Sequence, residues 1–88
     1  MFEVIYTHTE TGNSISAWNL SSLTVAQRLV SGALQQSADD ADARGEVEVC
    51  RQYDEAYDLV RNWDPSADLS NWTVTVRGVT WSVKEVAA

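Results

Sequence analysis

The chain has 88 residues, of which 44% are hydrophobic and 22% are charged. This length supports one modest core, so we expect a single domain over residues 1–88. No apolar run approaches the roughly 20 residues of a membrane span, and the first residues lack the pattern of a signal peptide. Cys50 is alone, which excludes an intrachain disulfide. We therefore expect a cytoplasmic protein that does not bind membranes.

The net charge of −7 lies on one third of the chain. Residues 39–68 hold ten of the thirteen acidic residues and three of the six basic ones, a balance of −7, while the remainder is neutral. Negative potential of this kind repels phosphates, so direct binding to nucleic acid is not expected. A basic protein is the predicted partner.

The N-terminal residues alternate between apolar and polar side chains and predict a hairpin that turns near Gly12. With Glu10-Thr11-Gly12 as its loop, Val4 faces Trp18 and Phe2 faces Leu20. Three further apolar residues then share the opposite face: Ile5, Ile15 and Ala17. A slip of one residue rearranges these faces, so the register stays open.

The first helical pattern follows Ser21 or Ser22, either of which can cap it. Its apolar face consists of Leu23, Ala26, Val30, Ala33 and Leu34. The run Asp39-Asp40-Ala41-Asp42 is then predicted to be a linker, with Asp40 or Asp42 capping the next helix.

The second helical pattern separates an apolar stripe from a charged side. The stripe consists of Val49, Tyr53, Ala56, Val60 and Trp63, and Asp64-Pro65 ends the pattern. The charged side consists of Glu48, Arg51, Asp54, Glu55 and Asp58. As an alternative, the alternation in Gly45–Val49 is compatible with a short strand.

Residues 72–83 alternate strictly around Arg77-Gly78 and predict a hairpin with a two-residue turn. The expected pairs are Val76 with Val79, Val74 with Trp81, and Trp72 with Val83. The complete order is ββααββ, an α+β fold in which two terminal hairpins form a four-stranded antiparallel sheet with two central helices on one face.

No residue pattern predicts catalysis, a metal or a cofactor. Asp40-x-Asp42 shares the first positions of an EF-hand calcium loop, but Arg44 and Arg51 occupy the fifth and twelfth positions, where that loop needs oxygen ligands. His8 and Cys50 are single, so one chain cannot supply four zinc ligands. Catalysis by a Ser-His or Cys-His pair would have to use His8, and Ser14 lies opposite it in the expected hairpin, but no third, orienting group is identified. We expect no enzyme activity.

The leading hypothesis is a non-enzymatic interaction module that docks on a basic protein surface. The predicted contact residues are Glu48, Arg51, Asp54, Glu55, Asp58 and Leu59. Small phage-encoded inhibitors, immunity proteins and DNA mimics share this acidic character, although the chain carries no motif of any such family. The alternative is a self-associating structural or accessory subunit that forms a homodimer through the N-terminal hairpin.

Overall fold

The computed structural model describes residues 1–66 and 69–86, except for the side chains of residues 17–19. Its elements are, in chain order, β1 (Phe2–His8), β2 (Ser14–Leu20), α1 (Leu23–Ala43), α2 (Val47–Arg61), a 3₁₀ turn (Leu69–Asn71), β3 (Thr73–Val76) and β4 (Val79–Glu85). The predicted α+β fold with the order ββααββ is confirmed.

The sheet is antiparallel, with the strand order β2-β1-β4-β3. The two hairpins join through their terminal strands, β1 and β4, which lie at the centre of the sheet. This pairing extends from Phe2 opposite Glu85 to His8 opposite Val79. Helix α2 packs near β3, whereas α1 packs against β1 and β2. By the strand order, β2 and β3 form the two edges of the sheet.

One hydrophobic core lies between the helices and the sheet. Both helices contribute an apolar stripe at helical spacing, and the strands contribute alternate residues. Its fully buried large side chains are Trp72, Leu34, Val30 and Val60. The opposite face of the sheet carries mainly hydroxyl side chains, including Thr75 and Thr80, whose hydroxyl oxygens lie 2.8 Å apart.

The C-terminal hairpin has the predicted register. Val76 pairs with Val79 and Val74 pairs with Trp81, and the Val83 amide donates to the Trp72 carbonyl at 3.2 Å. Both turn residues have positive φ, 50° at Arg77 and 77° at Gly78. This conformation suits a two-residue turn that follows the right-handed twist of the strands.

The N-terminal hairpin differs from the expected register at all but one pair. Phe2 does pair with Leu20, but Val4 pairs with Ala17 rather than Trp18, because a bulge separates these two pairs. The Trp18 side chain lies outside the described residues. The turn is one residue longer than expected, since the amide of His8 donates to the Asn13 carbonyl at 2.9 Å.

This shift also changes which side chains share a face. Ile15 pairs with Tyr6 and lies on the helix side of the sheet, whereas Ile5 pairs with Ser16 on the open side. The expected apolar patch of Ile5, Ile15 and Ala17 is therefore wrong. The Ala17 side chain lies outside the described residues.

The predicted acidic linker is part of a helix. Helix α1 continues through Asp39, Asp40 and Asp42 to Ala43, because Ala38 and Ala41 extend its buried stripe. Gly45, with φ of 74°, allows the chain to turn. Glu46 then precedes α2 without a side-chain capping bond, so neither Asp40 nor Asp42 caps this helix. Residues 47–49 are helical, which rules out the alternative strand at Gly45–Val49.

Candidate interaction surface

Helix α2 presents the predicted contact residues to solvent. Ala56 and Val60 are buried, and Glu48, Arg51, Asp54, Glu55, Asp58 and Leu59 are all exposed. Two exposed apolar side chains accompany the charges: Leu59 is 62% exposed and Val47 is 77% exposed. The surface thus combines carboxylates with apolar contact area, as the sequence indicates.

Arg51 neutralises part of this surface. Its guanidinium binds Glu48, with Nε donating to Oε2 at 3.1 Å, and also donates from Nη1 to Glu55 Oε1 at 2.5 Å. Donation from Arg51 lowers the pKa of the Glu48 carboxyl. The same pair raises the pKa of Arg51. The i, i+3 and i, i+4 spacing of these residues predicts such pairs, a signal available in the sequence.

Within residues 1–66 and 69–86, five carboxylates of α1 and α2 form no ion pair. We call this group the acidic ridge; its members are Asp39, Asp40, Asp42, Asp54 and Asp58. The first three lie at the carboxyl end of α1, where the last turn carries no basic residue. Because the helix dipole is negative at that end, these three carboxylates add negative charge to an already negative site. Asp68 lies outside the described residues.

Three carboxylates of the ridge converge near Cys50 in α2: Asp39, Asp42 and Asp54. The half-buried thiol donates to Asp54 Oδ2 at a sulfur–oxygen distance of 3.7 Å. Desolvation raises the pKa of Cys50, and the charges of Asp54, Asp42 and Asp39 raise it further. Carboxylates from the end of α1 and from α2 therefore act on the same thiol. The linker interpretation missed this convergence because it ended α1 too early.

A groove of about 440 Å³ runs between α2 and the edge strand β3. Leu59 and Glu55 line its helical wall, and Val74 and Val76 line its floor. At one end, Arg77 Nη1 donates to Gln52 Oε1 at 3.1 Å. The groove continues the exposed surface around Leu59 toward the sheet. No local sequence signal predicts it, because it depends on the packing of α2 against β3.

The residues weighed for catalysis and metal binding are not brought together. Ser14 pairs with Thr7 rather than His8, and its hydroxyl lies 3.0 Å from that of Thr7. His8 instead packs edge-on against Tyr6, with ring centroids 5.0 Å apart. In the calcium-loop region, Arg44 Nε donates to Glu46 Oε1 at 2.6 Å. Within the described part of the chain, no group of three or more histidine, cysteine or acidic residues is placed to hold a metal.

Among the described residues, no helix combines the length and apolar character needed to cross a membrane. Comparison of the chain with protein-family models, curated proteins and solved structures finds no match.

Proposed function

We propose that this protein is a non-enzymatic cytoplasmic interaction module that docks on a basic protein through α2 and the end of α1. The observation that carries the proposal is the acidic ridge together with exposed Val47 and Leu59. Unpaired carboxylates beside exposed apolar side chains are suited to a partner that supplies both cations and apolar contacts.

The two parts of the surface have different roles in the proposal. The ridge attracts a basic partner at long range and raises the association rate, an effect that salt screens. Val47 and Leu59 are buried on docking and slow dissociation. Glu48 and Glu55 contribute less to attraction because Arg51 already binds both.

The partner class that fits best is a protein whose basic surface binds phosphates. Carboxylates on the ridge would occupy the positions of nucleic-acid phosphates on that surface and block them. The protein would then act as a small inhibitor of the phage-encoded, immunity or DNA-mimic kind. This inhibitor role depends on the docking proposal and adds the nature of the blocked site.

The proposal is tested by affinity purification from the organism that encodes the chain, at low and high salt. Asp54→Asn with Asp58→Asn removes two ridge charges, and Glu10→Gln with Glu85→Gln removes two charges elsewhere as a matched control. We expect a basic protein that wild type and control retain at low salt, that high salt releases, and that the ridge variant retains poorly. Equal retention by both variants would contradict the proposal.

Leu59→Ser separates apolar contact from charge. It leaves the net charge unchanged, so the association rate with the isolated partner should stay near that of wild type while dissociation becomes faster. An unchanged dissociation rate would remove Leu59 from the interface.

A further inference from the structure

The outer edge of β2 has free backbone hydrogen-bonding groups. The His8 amide bonds to Asn13, and antiparallel pairs alternate between bonded and non-bonded, so Tyr6–Ile15 is the next bonded pair. The backbone N–H and C=O groups of Ser14 and Ser16 consequently point away from β1. Within the described residues, no strand pairs with this edge.

The sequence of β2 does not protect this edge. Its seven residues include neither a charged residue nor proline. Charged side chains, proline and short length are the usual features that prevent an edge strand from pairing with another chain. The other edge differs, because β3 has four residues and ends beside Arg77.

An apolar cleft of about 240 Å³ lies beside the β2 edge, on the helix side of the sheet. Its lining is apolar apart from Ser16 and includes Tyr6, Leu29 and Trp81. Ile15 forms its outer rim and is 68% exposed, and Leu29 is 37% exposed. The cleft and the free strand edge therefore form one continuous surface that a partner can cover.

The charge distribution favours a second copy of the chain as the partner that covers the β2 edge and the cleft. Helix α2 lies near β3, and the sheet order places β2 at the opposite edge. On the adjacent strand β1, Glu3 pairs with Lys84 at 3.5 Å. Two copies that meet at β2 thus keep Asp54 and Asp58 of their α2 helices apart, whereas contact near α2 would bring two like-charged surfaces together.

We propose that two copies pair through antiparallel β2 strands, with the two-fold axis at Ile15. In this register Ser14 of one copy bonds to Ser16 of the other, so the outward groups of both residues are satisfied. The two Ile15 residues form a closely spaced non-bonded pair, and their side chains cover the two clefts. The dimer has one continuous sheet, with the two α2 helices near its two outer β3 edges.

Sedimentation velocity over a range of concentrations measures the assembly. We expect a mass twice that of the 9.8 kDa chain. Ser16→Pro removes an outward N–H without removing a bond to β1, and it should give a monomer, whereas Ser16→Ala should remain a dimer. Because Ile15 is exposed, Ile15→Lys should give a folded monomer. If circular dichroism shows that the Ser16→Pro variant is unfolded, the Ile15→Lys variant decides the result.

Cysteine crosslinking tests the register. Antiparallel non-bonded pairs have Cα atoms about 4.5 Å apart, within the roughly 4.4–6.8 Å range of disulfides. Ile15→Cys in a Cys50→Ser background should therefore form a covalent dimer under mild oxidation, and Thr73→Cys in the same background should not. A monomeric wild type, or a dimer that neither Ile15→Lys nor Ile15→Cys affects, would overturn the proposal. The ridge variant Asp54→Asn with Asp58→Asn should remain dimeric, so failure of the docking proposal is separately visible.

Discussion

The indole of Trp63 stacks on the indole of Trp72, with ring centroids 5.1 Å apart and an angle of 30° between the ring planes. Trp72 is 1% exposed, and its Nε1 donates to the Asp64 carbonyl at 3.0 Å. This contact attaches the segment after α2 to the base of the C-terminal hairpin. Helix α2 therefore packs along α1 and is held at its carboxyl end by this aromatic pair.

Replacement of Trp72 should affect stability more than replacement of Trp63. Trp72→Ala leaves a large cavity and should lower the free energy of unfolding by about 3–5 kcal/mol. Trp63 is only half-buried, so Trp63→Ala should cost less. Urea denaturation followed by circular dichroism measures both changes. Equal losses would show that the two rings contribute similarly to the core.

Gly78 and Gly32 should respond in opposite directions to substitution by alanine. Gly78 has φ of 77°, and a Cβ there would meet Thr9 Oγ1 at an ordinary 3.8 Å, so the cost is backbone strain of about 1–2 kcal/mol. Gly32 is helical with open space around the added Cβ, so Gly32→Ala should stabilise by about 1 kcal/mol. Thermal unfolding of the two variants gives the comparison. A Gly78→Ala variant that unfolds at the same temperature as wild type would contradict the turn geometry.

Removal of charge at the end of α1 should stabilise the protein. Asp40 and Asp42 lie in the last helical turn, where the dipole disfavours anions, so each change to Asn should gain about 0.3–1 kcal/mol at low salt. Glu48 lies in the first turn of α2 and binds Arg51, so Glu48→Gln should destabilise. Thermal unfolding at low and high salt measures these effects. A salt-independent gain in the Asp variants would argue against an electrostatic cause.

The Cys50 thiol should react slowly. Its raised pKa, caused first by desolvation and then by Asp54, leaves less thiolate at a given pH near 8. Alkylation by iodoacetamide should be several-fold slower in the folded chain than in urea, and Asp54→Asn should accelerate the folded reaction. A pH series of the rate locates the thiol pKa. No shift in that profile between wild type and Asp54→Asn would show that accessibility alone limits the reaction.

Local sequence patterns determined much of this protein. Strict alternation around Arg77-Gly78 defines the C-terminal hairpin, because one register places every large apolar residue on one face. Helical spacing predicts both apolar stripes, and the positions of Glu48, Arg51 and Glu55 predict their ion pairs. The exposed charged side of α2 follows from the same periodicity.

The tertiary structure decided what depends on contacts between distant segments. Asp39, Asp40 and Asp42 have the composition of a linker, but Ala38 and Ala41 are buried, and this packing extends α1 through them. The first hairpin is weakly specified by its own sequence, and a longer turn and a bulge set its faces. The convergence of carboxylates near Cys50 requires two helices packed side by side. Sequence periodicity determines which face of a helix or strand a side chain occupies. The neighbours of that side chain depend on the packing of the whole core.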